Sequence, residues 1–100
     1  MYGEPYAQKV IAVDFDDTIS THELGWLKIM YLMEQLGYIV YVVTYRRPTE
    51  WPEDLAFLVD KGYKVFYTSR MSKREFMKRN GIDVDIWCDD CPEGIIFDMD

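Results

Sequence analysis

The sequence predicts an α/β domain on a mostly parallel sheet of about five strands, and three observations carry that expectation. Short runs rich in β-branched residues alternate with segments of helical periodicity along the chain. Glycines punctuate the helical segments, at Gly37, Gly62 and Gly81. The composition, 49% hydrophobic and 16% aromatic over 100 residues, suits one packed core, so a single domain over residues 1–100 is expected.

The elements follow in order. Lys9–Asp14 (KVIAVD) reads as a buried strand. A helix is expected over His22–Leu36, with Leu24, Leu27, Met30 and Tyr31 on its inward stripe and Gly37 as its stop. Tyr38–Thr44 (YIVYVVT) is a second strand. Pro52 suits a first helical turn, after which Leu55, Leu58 and Val59 supply an apolar face. Lys64–Thr68 (KVFYT) is a third strand. Ser72 opens a helix, and Glu75 three residues on completes a capping-box pattern. Val84–Cys88 (VDIWC) is a fourth strand. Ile95–Phe97 is read as a fifth, entered by a tight turn at residues 91–94.

Composition limits the function classes. The net charge of −7 leaves no basic footprint for long nucleic acid, whereas acidic residues can surround a cation. No apolar run reaches the roughly 18 residues of a membrane span, and no signal pattern opens the chain, so a soluble cytoplasmic protein is expected. Cys88 and Cys91 make a single C-x-x-C, and the lone histidine, His22, gives no second ligand pair for structural zinc. Two reduced, packed thiols are expected there, with thiol exchange as the alternative.

Parallel sheets bind ligands beyond the carboxyl ends of their strands. Asp14 to Thr18, Thr44 to Arg47, Ser69 to Lys73, and Asp89-Asp90 should therefore converge on one edge. Alternate residues share a face, so Asp14 and Asp16 point alike if the strand continues. Hard carboxylate oxygens suit Mg²⁺. A carboxylate beside that cation can attack phosphorus, and a second can protonate the leaving oxygen and then activate water. Thr44 and Lys73 would hold the phosphoryl oxygens. The D-x-D spacing alone is weak, because Asp83/Asp85 and Asp98/Asp100 repeat it. Only Asp14-x-Asp16-x-Thr18 follows a strand and precedes a helix.

With VIAVDFDDT, YVVT ending in Thr44, Lys73 at a helix start and WCDD in this order, the chain resembles the haloacid dehalogenase superfamily over residues 9 to 90. The resemblance implies a three-layer Rossmann-like fold and a phosphomonoester hydrolase working through an aspartyl-phosphate. It makes Asp14 the nucleophile and Asp16 the general acid/base. Thr44 would bind the phosphoryl group, and Lys73 would stabilise nucleophile and phosphate. Mg²⁺ would be held by Asp14, the main-chain carbonyl of Asp16, and Asp89 helped by Asp90. Neither gap after the first two motifs holds a cap domain, so a capless member with an open site is implied, its substrate large or its lid a partner subunit. A phosphotransferase and a non-catalytic phosphate-binding or regulatory domain remain alternatives. A phospho-accepting receiver has its acidic pair first, so its order of parts fails here.

Around these residues, Lys78 rivals Lys73 but lies further from the helix start. Arg46 and Arg47 are candidate phosphate contacts or solvated loop residues, and Arg70 is similar. Tyr45 and Trp51 can stack on a flat substrate such as a nucleobase, although rim or core packing is the favoured expectation. His22 reads as a helix-end residue and Asp17 as a loop residue. Homo-oligomerisation is compatible with the exposed sheet edge, which Asp98 and Asp100 could protect by charge.

Overall fold

The computed structural model describes residues 8–99. It is an α/β arrangement in which strands β1 (Val10–Val13), β2 (Ile39–Thr44), β3 (Val65–Tyr67) and β4 (Ile86–Cys88) form one sheet. Between them run α1 (Glu23–Gln35), α2 (Ala56–Asp60) and α3 (Lys73–Arg79), with α4 (Glu93–Ile96) after β4. The strand order is β3-β2-β1-β4, and every pairing is parallel. The chain moves outward from β1 to β3, then returns to place β4 on the other side of β1. The order therefore reverses between β1 and β4, the kind of crevice where open parallel sheets bind ligands.

The two central strands, β1 and β2, are largely buried because their apolar runs leave neither face for water, while β3 and β4 at the sheet's edges are only partly covered. Ile11, Val13, Val40 and Val42 pack with Phe15, Ile19, Met30, Leu55 and Leu58 in the larger core cluster. Ala12 and Val43 project the other way and join Phe66 and Met77. Gly37 takes φ +96 just beyond α1, the left-handed conformation that ends a helix at little steric cost in glycine.

Four expectations are corrected. The fifth strand is absent: Ile95 and Ile96 lie in the helical turn α4, and Phe97 follows it. Pro92 stands at its N-cap, and Phe97 N–H donates to Glu93 C=O at 2.9 Å, so a three-residue apolar run is satisfied locally rather than in a ladder. The inward face of α1 is also displaced. Trp26, Leu27, Met30 and Met33 pack on the core, while Leu24 is 72% exposed and Tyr31 is exposed. The helix is apolar on nearly all sides, so periodicity could not choose its face. Val59 likewise points to solvent, although Leu55 and Leu58 are fully buried. Pro52–Leu55 form a 3-10 turn that rotates the start of α2.

The capping box at α3 is half realised. Ser72 Oγ accepts from Glu75 N–H at 3.2 Å, but Ser72 N–H donates to Asp98 Oδ1 at 2.7 Å, and Glu75 turns to Arg79. Asp98 thus has a definite partner, whereas Asp100 lies outside the described residues. Asp85 accepts from Val10 N–H at 2.8 Å and fixes the start of β1. Among the described residues no helix is long and apolar enough to cross a membrane.

Candidate active site

Asp14 follows β1 directly, and its N–H donates to Cys88 C=O at 2.9 Å, continuing the β1–β4 pairing one step past the strand. The carboxylate therefore emerges at the crevice between those strands and is only 7% exposed. Asp89 and Asp90 arrive from the end of β4. One oxygen from each of Asp14, Asp89 and Asp90 lies within 4.8 Å of the others. Thr18 ties two of them together, its Oγ1 lying 3.4 Å from Asp14 Oδ2 and 3.3 Å from Asp90 Oδ1. Cys91 N–H donates to Asp89 Oδ1 at 2.9 Å and fixes that side chain's orientation.

Lys73 crosses from the start of α3. Its side chain is 1% exposed, and Nζ donates to Asp14 Oδ1 at 2.8 Å and to Asp89 Oδ2 at 2.6 Å. A buried ammonium needs such partners, because desolvation of the charge is costly. The Tyr45 ring covers it, with Nζ 5.0 Å from the ring centroid. The Tyr45 hydroxyl reaches the carbonyls of Gly94 and Phe97, so α4 holds the ring in place. Lys78 is exposed in the last turn of α3, away from these groups.

Burial pushes the Asp14 carboxyl up to about 7, against the opposing pull of Lys73. Burial also raises the Tyr45 phenol to about 12, with Cys91 and Asp89 adding to it. Burial raises Cys88 too, which suits a packed thiol; Cys88 and Cys91 are both free.

Asp16 stands apart from the acidic group. Arg46 grips its carboxylate with two parallel bonds, Nε to Oδ2 at 3.0 Å and Nη2 to Oδ1 at 2.8 Å. The same guanidinium donates to Asp54 Oδ2, to the carbonyls of Glu50 and Trp51, and lies over the Phe15 ring. Hydrogen bonding to Asp16 raises its pKa further above the ordinary arginine value. Thr44 is fully buried at the end of β2, and its Oγ1 accepts from Arg46 N–H at 3.3 Å. Arg47 is largely exposed and lies 3.7 Å from Glu50. Arg70 donates to Glu50 Oε2 at 2.8 Å and to Tyr45 C=O at 2.8 Å.

The sheet therefore brings Asp14, Lys73, Asp89 and Asp90 together, with Asp16, Thr44 and Arg46 alongside. The Asp16 carboxylate does not join the acidic group; the metal contact implied for Asp16 uses its main-chain carbonyl instead. Arg47 and Arg70 are tied to Glu50. Two residues escaped the sequence reading: Thr18, which bridges Asp14 and Asp90, and Tyr45 as the cover of Lys73. Thr18 had a signal in the Asp14-x-Asp16-x-Thr18 spacing, while Tyr45 had none beyond following Thr44. His22 caps α1, its Nδ1 accepting from Gly25 N–H at 3.0 Å, and Asp17 sits in the loop at φ 62.

The donor set fits a hard divalent cation. Three carboxylates face one ammonium, all the donors are oxygen, and Asp90 is exposed enough to admit a hydrated ion. Among the described residues no buried side-chain polar atom lacks a partner, so the arrangement is fully hydrogen-bonded as it stands. In comparison with known proteins, the chain matches no family model, no curated protein and no solved structure.

Proposed function

We propose that this chain is a Mg²⁺-dependent phosphomonoester hydrolase of the haloacid dehalogenase type, working through an aspartyl-phosphate. In this reading the fold is the three-layer Rossmann-like core without a cap, and the protein acts in the cytoplasm. The observation that carries the proposal is the buried Lys73 bridge between Asp14 and Asp89 at the β1–β4 crevice. A buried cation shared by two carboxylates orients Asp14 and offsets charge where a phosphoryl group would arrive.

In the proposed reaction, an oxygen of Asp14 attacks phosphorus while the ester oxygen leaves with a proton from Asp16. Asp16 then takes a proton from water, which attacks the aspartyl-phosphate, breaks its P–O bond and releases inorganic phosphate. Thr44 Oγ1 and Lys73 Nζ hold phosphoryl oxygens. Asp14, Asp89, Asp90 and the Asp16 carbonyl would hold Mg²⁺, which supplies charge neutralisation at the phosphoryl group.

One observation favours a non-catalytic phosphate-binding domain as a second reading: Arg46 pairs with both oxygens of Asp16. A general acid must present an oxygen to the leaving group, and the two-pronged guanidinium occupies both oxygens of Asp16. In the hydrolase, Arg46 releases at least one of these bonds when substrate enters, and the freed N–H groups turn to the phosphate. Phosphate release from a panel of phosphorylated compounds, with and without Mg²⁺, separates the readings when wild type is compared with Asp14→Asn and Asp16→Asn. Metal-dependent turnover lost in both variants supports the hydrolase. Phosphate binding without turnover by a folded protein supports the binding domain.

A further inference from the structure

Trp51 is one of the large aromatic side chains that the fold leaves exposed. It is 65% exposed, which excludes the core packing that was one of the sequence expectations. Its backbone is left-handed, at φ 45 and ψ 56, a conformation uncommon in bulky residues. Pro52 disfavours the right-handed helical region for the residue before it, which explains only that Trp51 leaves that region.

The surrounding loop is pinned. Arg46 Nη1 donates to the carbonyls of Trp51 at 3.0 Å and Glu50 at 3.2 Å. Glu50 in turn accepts from Arg47 N–H at 2.6 Å and from Arg70 Nη2 at 2.8 Å. The indole is thus presented to solvent by a fixed backbone. Strain maintained by surrounding bonds is a reason to look for function.

Its position gives that function a direction. The guanidinium that holds the Trp51 carbonyl also grips Asp16. In the hydrolase reading, phosphorus lies at Asp14 and the departing oxygen at Asp16. Arg46 links the two places, so an ester extending beyond Asp16 on the Arg46 side would run toward Trp51. There a shallow cleft of about 260 Å³ is lined by Thr49, Glu50, Trp51, Pro52 and Glu53. Its chemistry is one aromatic surface, one hydroxyl and the Glu53 carboxylate, since Glu50 is already paired with Arg47 and Arg70. That set stacks on a planar ring and accepts hydrogen bonds from amino and hydroxyl groups.

We infer that Trp51 is the stacking platform for the leaving group and that the substrates are nucleoside monophosphates. Resting on the hydrolase proposal, the inference favours these over sugar phosphates, which lack a planar ring.

The test compares kcat/KM for adenosine 5′-monophosphate and ribose 5-phosphate in wild type, Trp51→Phe and Trp51→Ala. Base stacking of ordinary strength predicts that Trp51→Ala lowers the nucleotide-to-sugar ratio roughly 5- to 100-fold, with Trp51→Phe between it and wild type. Quenching of tryptophan fluorescence by the nucleotide is measured in parallel, and the part lost in Trp51→Phe reports contact at this site without requiring turnover. Turnover with a ratio that no variant changes overturns the inference and leaves the hydrolase standing. Absence of turnover with Trp51-dependent quenching overturns the hydrolase reading and supports nucleotide stacking at Trp51. Absence of both overturns both.

Discussion

Replacing Lys73 with methionine tests the energetic centre of the site. The substitution keeps much of the side-chain volume and removes the ammonium that lies 2.8 Å from Asp14 and 2.6 Å from Asp89. Two carboxylates, both nearly inaccessible, are then left beside Asp90 without a cation. Removing one member of a buried ion pair costs about 3–5 kcal/mol, chiefly because the remaining charge is still desolvated. Domains of this size have about 5–15 kcal/mol in total, so the variant should lose much of its stability. At roughly 4–8 °C per kcal/mol, the thermal midpoint falls by about 12–40 °C in metal-free buffer. Two remedies should work. Lowering the pH from 8 to 5 protonates Asp14, whose carboxyl burial already raises to about 7, and millimolar Mg²⁺ replaces the missing charge, so each narrows the gap from wild type. Thermal unfolding followed by circular dichroism, with and without Mg²⁺, measures all three effects. The exposed Lys78→Met is the control and should remain within about 0.5 kcal/mol of wild type. A Lys73→Met protein within 1 kcal/mol of wild type, indifferent to Mg²⁺, would refute the idea that Lys73 compensates this buried acidic group.

Three further predictions follow from the same geometry. Burial raises Asp14 from 3.8 to about 7, so its contribution to metal-free stability is greatest below pH 4 and is lost as pH rises through 7. Asp14→Asn should remove this fall, which is about 3–4 kcal/mol at most, and urea unfolding of both proteins from pH 4 to 8 would expose it. Tyr45→Phe removes the hydroxyl that reaches the carbonyls of Gly94 and Phe97. It should cost about 1–2 kcal/mol and accelerate amide hydrogen exchange in α4; protection unchanged there would show that Tyr45 does not hold the helix. Finally, inorganic phosphate should bind at least ten-fold more tightly in saturating Mg²⁺, as read by calorimetry. Equal affinity with and without the metal would contradict the charge arrangement of the site.

The parts legible in the sequence were those decided by local chemistry. The β1–β4 runs are apolar on both faces and bounded by turn residues, so their existence was secure even where their ends moved by a residue or two. The convergence of Asp14, Lys73, Asp89 and Asp90 followed from parallel topology, which sends successive strand ends to one edge. What failed depended on partners distant in sequence. Ile95-Ile96-Phe97 is too short for periodicity to separate strand from helix, and α4 is held by Tyr45 and Ser72 from other elements. The stripe on α1 was misplaced because eight of its thirteen residues are apolar. Arg46 could be placed in the right loop, but its bonds to Asp16, 30 residues away, were not readable from an Arg-Arg-Pro motif.

The pairing of charges at the strand ends explains why a divalent cation is central to the proposed chemistry. The edge carries four cations that could face a phosphate, yet each has an acidic partner. Lys73 is shared by Asp14 and Asp89, Arg46 by Asp16 and Asp54, and Arg47 and Arg70 both turn to Glu50. With Asp90 also present, the field at the crevice favours cations, and the chain's net charge of −7 adds to it. A phosphate dianion entering alone would meet a negative site and would have to displace internal ion pairs one at a time. A divalent cation, if held by Asp14, Asp89 and Asp90, would change that balance at the place where Lys73 is already buried. Asp14 would have to be ionised to hold it, since coordination requires the carboxylate. One binding event would therefore make the site receptive to phosphate and ionise the proposed nucleophile.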